Sequence, residues 1–174
     1  MAAKTKIVLD ADVIIHFIKA DQFSLLMDIL PEYEYLVLDV VYDEITVNRH
    51  TKVQIDNTLH YLGHRMKKVP FAPAGDSRLE YARLRTTLGK GESACMVYCR
   101  DNRDVLGSSN LRDIADYCKT NNITYLTTVD FLYYAFIRHK MTKEEIDVFI
   151  AKVREKGSRL PVVDIETYVP SGVI

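Results

Sequence analysis

Short apolar runs separated by longer stretches of helical spacing set the rhythm of this chain. The runs KIVLD (6–10), YEYLVLD (33–39), MKKVPF (66–71), DVLGS (104–108) and ITYLTT (123–128) are rich in Val, Ile, Leu and Tyr. Buried parallel strands require that composition, because both of their faces are covered. Between the runs, apolar positions recurring every three or four residues predict helices over 20–30, 40–48, 51–65, 76–88, 90–102 and 110–122. Two more follow over 130–140 and 142–157. Phe23, Leu26 and Leu30 share one face of the first helix, and Pro31 closes it. Asp76 or Ser77 is placed to cap the fourth, and Thr142 with Glu145 makes a capping box for the last.

Strands alternating with helices predict an α/β fold with a mainly parallel sheet of four or five strands covered on both faces, a three-layer α/β/α sandwich. The tail SRLPVVDIETYVPSGVI (158–174) reads as strand-like or extended and is expected to pack on the body. With no internal repeat, low-complexity stretch or linker, residues 1–174 are expected to form one domain, its core spanning about 6–161.

Composition narrows the partners. A net charge of −1 and a pI of about 6.5 remove any global basic field, so nucleic acid would have to be met by a local basic rim. The start MAAKTK lacks the long apolar run of a signal peptide and no stretch approaches a membrane span, so neither is expected. Three cysteines, Cys95, Cys99 and Cys118, make no even disulfide set, and the reading is a cytoplasmic protein with reduced thiols.

The acids fall where strands end. Asp10 and Asp12 follow the first run, Asp39, Asp43 and Glu44 the second, and Glu92 opens the helix before the fourth. In a parallel α/β sheet, strand carboxyl ends share one edge, where such folds bind ligands. Converging carboxylates repel one another unless a cation neutralises them, and hard oxygen ligands suit Mg²⁺ or Mn²⁺. Each acid also has an ordinary role open to it. Asp at a strand end caps a helix, and Glu in a first turn complements the helix dipole. Spacing alone leaves metal ligand, nucleophile and cap all open for Asp10 and Asp12.

Taken together, IVLDADVII near the start, VVYDEI after the second strand and LGKGESACMVYCRD near the middle resemble the PIN domain family. The likeness runs on through LRDIADYCKTNNITYLTTVDFLYYAFIRHKMTKEEIDVFIAKVREKGSRLP, so it covers roughly residues 6–161. The resemblance implies an α/β/α sandwich and a small ribonuclease that uses Mg²⁺ or Mn²⁺ to hydrolyse RNA phosphodiester bonds. Asp10, Glu44 and Glu92 match the family's metal-binding and catalytic acids, and Arg112 with Ala115 matches an Arg-x-x-Ala helix. A fourth acidic position is expected after the fourth strand, but this chain has Ser108 and Ser109 there, in GSSN. A serine is a neutral, poorer ligand, so Ser108, Ser109, Asp12 and Asp113 become further metal-site candidates. Arg112 and Lys90 are the candidates for binding substrate RNA. The resemblance further implies a toxin of a toxin–antitoxin pair, an antitoxin protein as partner, and a homodimer.

Two rivals stand beside this reading. A PIN-like fold with a degenerate acidic cluster would bind RNA or a protein without cutting, using basic residues such as Arg83, Arg85 and Arg112 on phosphates. The opening VLDADVI is also similar to that of haloacid dehalogenase-like phosphatases, in which the first Asp attacks phosphate and the second is a general acid. Other conspicuous residues take structural roles. His60 and His64, four apart, read as one solvated helix face, His16 as a partly buried structural histidine, Cys95 and Cys99 as core thiols, and Tyr133 with Tyr134 as packing.

Overall fold

In a computed structural model, which describes residues 5–174, five strands form one all-parallel sheet: β1 (Lys6–Leu9), β2 (Glu34–Leu38), β3 (Met66–Val69), β4 (Val105–Gly107) and β5 (Tyr125–Leu126). Their order is β3-β2-β1-β4-β5. The chain therefore builds outward from β1 through β2 to β3, then crosses back to place β4 on the other flank of β1. The reversal puts a topological switch point between β1 and β4, where open α/β sheets form their ligand crevice. Asp10 follows β1 and Ser108 follows β4, so both stand at that crevice.

The central strands are apolar on both faces. Ile7, Val8, Leu9 and all of Tyr35–Leu38 are buried, as a sheet sandwiched by helices demands. Around the sheet lie α1 (Ala11–Lys19), α2 (Phe23–Ile29), α3 (Asp39–Ile45), α4 (Arg49–Tyr61), α5 (Asp76–Leu84), α6 (Lys90–Asn102), α7 (Leu111–Asn121), α8 (Thr128–Ile137) and α9 (Lys143–Glu155). Helix α6 packs on α3, α5 and α7, while α1 packs on α2, α4 and α9, and α2 on α8. This is the α/β architecture that the alternating pattern predicts. Among the described residues no helix is long and apolar enough to cross a membrane.

Several boundaries move for local reasons. Helix α1 is absent from the sequence reading, because Val13–Ile15 continues the β-branched run of β1. Its helical signature is the pair Val13 and Ile14 followed by Phe17 and Ile18, one turn on and equally buried. The Phe17 ring meets Phe131 of α8 at 6.2 Å and Phe149 of α9 at 4.9 Å, both edge-on, tying three helices together. The fifth run is a strand over two residues only. Thr127 leaves the ladder to cap α8, forming a capping box with Asp130. The predicted box of Thr142 and Glu145 on α9 is present.

For α5 neither Asp76 nor Ser77 is the cap. Gly75 stands there at φ 54°, a left-handed conformation that favours glycine, and Ser77 donates to Asp101 instead. Helix α4 ends at Tyr61, so His64 lies beyond it and the pair with His60 shares no helix face.

The tail forms no strand. It is irregular from 158 onward, packs through buried Leu160 and Ile165, and is fastened by Asp130. Asp130 is fully buried; one carboxylate oxygen accepts the Thr127 N–H and hydroxyl, the other accepts the Tyr168 hydroxyl at 2.8 Å and the Ser171 N–H at 2.7 Å. Tyr134 donates to the Gly172 carbonyl and accepts from the Ile174 N–H. A Cβ on Gly172 would fall 1.9 Å from the Tyr125 carbonyl oxygen, so glycine is required for this close approach to β5.

Candidate active site

Asp10 is built into both neighbouring elements. Its N–H donates to Gly107 of β4 at 2.8 Å, and its side chain, as N-cap of α1, accepts the Ala11 N–H at 2.8 Å. The other carboxylate oxygen accepts the hydroxyl of fully buried Ser108 at 3.2 Å. Asp12 reaches the same loop, with one oxygen accepting the Ser109 N–H at 2.8 Å and the other the Val13 N–H. The two serines that replace the expected acids thus clamp the two aspartates from the β4 side.

Glu92, in the first turn of α6, accepts the Asn110 amide at 2.8 Å, and that amide also donates to Asp113 of α7 at 2.7 Å. Glu44 approaches from the last turn of α3, exposed to solvent. A Cβ on Gly91 would sit 2.8 Å from a Glu44 carboxylate oxygen and 3.1 Å from Val41, which explains the glycine before Glu92. Gly91→Ala is therefore expected to push the Glu44 side chain away, weakening Mn²⁺ affinity with little change in melting temperature; calorimetry beside a thermal melt reads both. Arg112 is exposed on α7, in the groove that Asp113 also lines, and Lys90 is exposed at the start of α6.

Burial governs the electrostatics of these acids. It pushes the Asp10 carboxyl up to about 8, with the charges of Asp12 and Glu92 adding to the rise and the Ala11 N–H and Ser108 hydroxyl opposing it. Asp12 is raised by burial against the N–H groups of Ser109 and Val13. Glu92 is pushed up to about 7 by burial, then by Asp113, Asp12 and Glu44, with the Asn110 amide opposing. Among the described residues no lysine or arginine lies within ion-pair distance of any of these acids.

All the donors are hard oxygens, and their mutual repulsion is of the kind a divalent cation relieves. Yet among the described residues no three His, Cys, Asp or Glu side chains close around one point. The residues fit Mg²⁺ or Mn²⁺ in chemistry and charge, without a preformed all-protein cage; Mg²⁺ characteristically keeps several waters.

A hydrogen-bond relay behind the aspartates escapes sequence reasoning. The Ser109 hydroxyl accepts the Thr128 N–H and donates to the Thr128 hydroxyl, both at 2.8 Å. That leaves the Thr128 proton for His16 Nδ1, also 2.8 Å away. His16 is buried, so its reading as structural stands, but it braces the loop that holds Asp12. The burial, and then Lys19, lowers its pKa to about 4. The unfolded chain takes up a proton near 6.5 that folded His16 refuses until about 4, so this residue's contribution to stability falls as pH drops through that window. His16→Gln is expected to flatten the acid limb of a melting-temperature profile between pH 6.5 and 4, and an unchanged limb would discount the relay.

No protein-family model matches the sequence, and no curated protein matches it. Solved structures do. VapBC2 from Rickettsia felis, determined bound to a DNA fragment from the promoter, superposes with a TM-score of 0.52 at 13% identity, over 71% of this chain and 98% of that one. A PilT N-terminus domain protein from the archaeon Sulfolobus solfataricus P2 gives a TM-score of 0.46 at 11% identity, over 76% and 94%. At such identity the first likeness speaks for the fold alone and the second adds nothing to it. The fold is PIN-like, as the sequence motifs imply.

Proposed function

We propose that this chain is a divalent-metal-dependent ribonuclease of the PIN type. The observation that carries the reading is the electrostatic strain at the switch point. Asp10 and Glu92 are pushed up to about 8 and about 7 by burial first and then by neighbouring carboxylates, and among the described residues no lysine or arginine lies within ion-pair distance of either. Asp10, Glu44 and Glu92 are assigned as the metal-holding acids, with Asp12, Asp113, Ser108 and Ser109 around them. Bound Mg²⁺ or Mn²⁺ supplies Lewis acidity and activates an attacking water. Ser108 and the Ala11 N–H fix the two oxygens of Asp10, Asn110 spaces Glu92 from Asp113, and Arg112 and Lys90 take phosphates of the RNA strand.

By analogy with the VapBC2 assembly, a small antitoxin is proposed as partner and a toxin role with it. A homodimer and a cytoplasmic setting complete the reading. A degenerate binding module is favoured by one observation, that Ser108 already occupies an oxygen of Asp10 while, among the described residues, no three acids close together. The phosphatase alternative has less support, since both Asp12 oxygens accept backbone N–H groups and, among the described residues, no lysine pairs with Asp10.

The test is cleavage of single-stranded RNA with Mn²⁺ and with chelator, for wild type and Glu92→Gln. Metal-dependent cleavage that falls by at least about 100-fold in the variant supports the nuclease. RNA binding of equal strength with chelator, and no cleavage with metal, would leave the binding module.

A further inference from the structure

At Glu44 a cavity of about 610 Å³ is lined by Val40, Asp43, Glu44, Tyr81 and Lys90. That volume lies within the range of ~300–1,000 Å³ typical of ligand pockets. Tyr81, half-buried on α5, is held by Phe71, whose ring meets it edge-on at 5.0 Å and 68°. A ring fixed in this way presents a rigid stacking surface at little entropic cost. Glu44 belongs to the acid cluster and Lys90 stands two residues before Glu92, so the cavity adjoins the proposed point of cleavage.

We infer that this cavity receives one unpaired nucleobase of a single-stranded RNA, next to the phosphate that is cut. The inference rests on the ribonuclease reading. One lysine among two acids is a poor seat for a phosphate, whose charge Asp43 and Glu44 would repel. A planar group with donor edges meets every part of the lining. Its face stacks on Tyr81 beside Val40, and its exocyclic amino group donates to Asp43. Lys90 takes the phosphate on the flanking backbone. Adenine, guanine and cytosine carry such an amino group and uracil does not, so amino-bearing bases are preferred at this position.

The experiment uses an RNA oligonucleotide with a single 2-aminopurine, added to the full chain with chelator so that nothing is cut. Anisotropy of an end label reads binding, and 2-aminopurine quenching reads stacking. Wild type is expected to bind and quench. Tyr81→Leu, which keeps the packing against Phe71 apolar, should lose the quench and bind about tenfold more weakly, while Tyr81→Phe keeps both. Arg112→Ala should weaken binding yet leave the quench at saturation intact. Quenching and affinity unchanged in a folded Tyr81→Leu, while wild type still cleaves in Mn²⁺, would overturn the base subsite and leave the nuclease standing. A wild type that neither binds nor cleaves RNA would overturn both.

Discussion

Replacing Asp10 with asparagine is expected to silence Mn²⁺-dependent cleavage by at least about 100-fold while making the metal-free protein more stable. The two effects share one cause. The carboxyl is buried at the end of β1, with a folded pKa of about 8 against an ordinary value of 3.8. Between those values the folded state keeps a proton that the unfolded chain has released, so without metal, stability falls as pH rises from about 4 to 8. By pH 7.5 nearly the whole of that loss has been incurred, and asparagine removes most of it without changing the side chain's shape. Melts in chelator from pH 5 to 8.5 should show wild type declining on the alkaline side and Asp10→Asn declining less steeply, the slope that remains belonging to Asp12 and Glu92. Mn²⁺ should reverse the order, raising wild type by mass action and leaving the variant alone. A variant that melts lower than wild type in chelator at pH 8 would sink this account of the site.

Asp130→Ala carries the largest expected loss of stability, about 3–5 kcal/mol. Its carboxylate gathers four donors, two from Thr127 at the start of α8 and two from Tyr168 and Ser171 of the tail. Truncation strands the two Thr127 donors in a buried setting and releases the partly buried donors of Tyr168 and Ser171, unfastening the cap of α8 and the tail together. A urea midpoint beside limited proteolysis checks this, with early clipping after residue 160 expected. A loss below about 1 kcal/mol with the tail still protected would show that tail packing through Leu160 and Ile165 suffices without the carboxylate.

Residues near one another in sequence made most of the fold legible. Apolar runs marked all five strands, and the box of Thr142 and Glu145 marked α9. Helix α1 hid because Val13, Ile14 and Ile15 read as more strand, and the turn that separates them from β1 is made by a residue, Asp10, already claimed by the site. The fifth strand was overdrawn because Thr127 and Thr128 have β-propensity yet spend their hydroxyls on the α8 cap and the His16 relay. Asp10 and Glu92 were legible as acids at a strand end and in a first turn, whereas Glu44, read as following the second strand, stands in the last turn of α3. What could not be read was reach. His16 and Thr128 are 112 positions apart, and Asp130 meets Ser171 across 41, so neither contact leaves a local pattern. Asn110, one of three polar residues in GSSN, gains its place only when α6 and α7 bring Glu92 and Asp113 to either side.

The small glycine near the end of the tail also bears on how the protein behaves at high concentration. The carbonyls of Thr124 and Leu126 face β4, so that of Tyr125 points outward, and the Gly172 segment lies against it. At the opposite margin of the sheet, β3 presents exposed Lys67 and Lys68, whose charge discourages a second chain from aligning. Solubility is thus guarded by charge on one flank and by covering backbone on the other. Only the covered flank can be stripped by a protease or by a bulkier residue at 172, and a sample damaged there is the one that would self-associate.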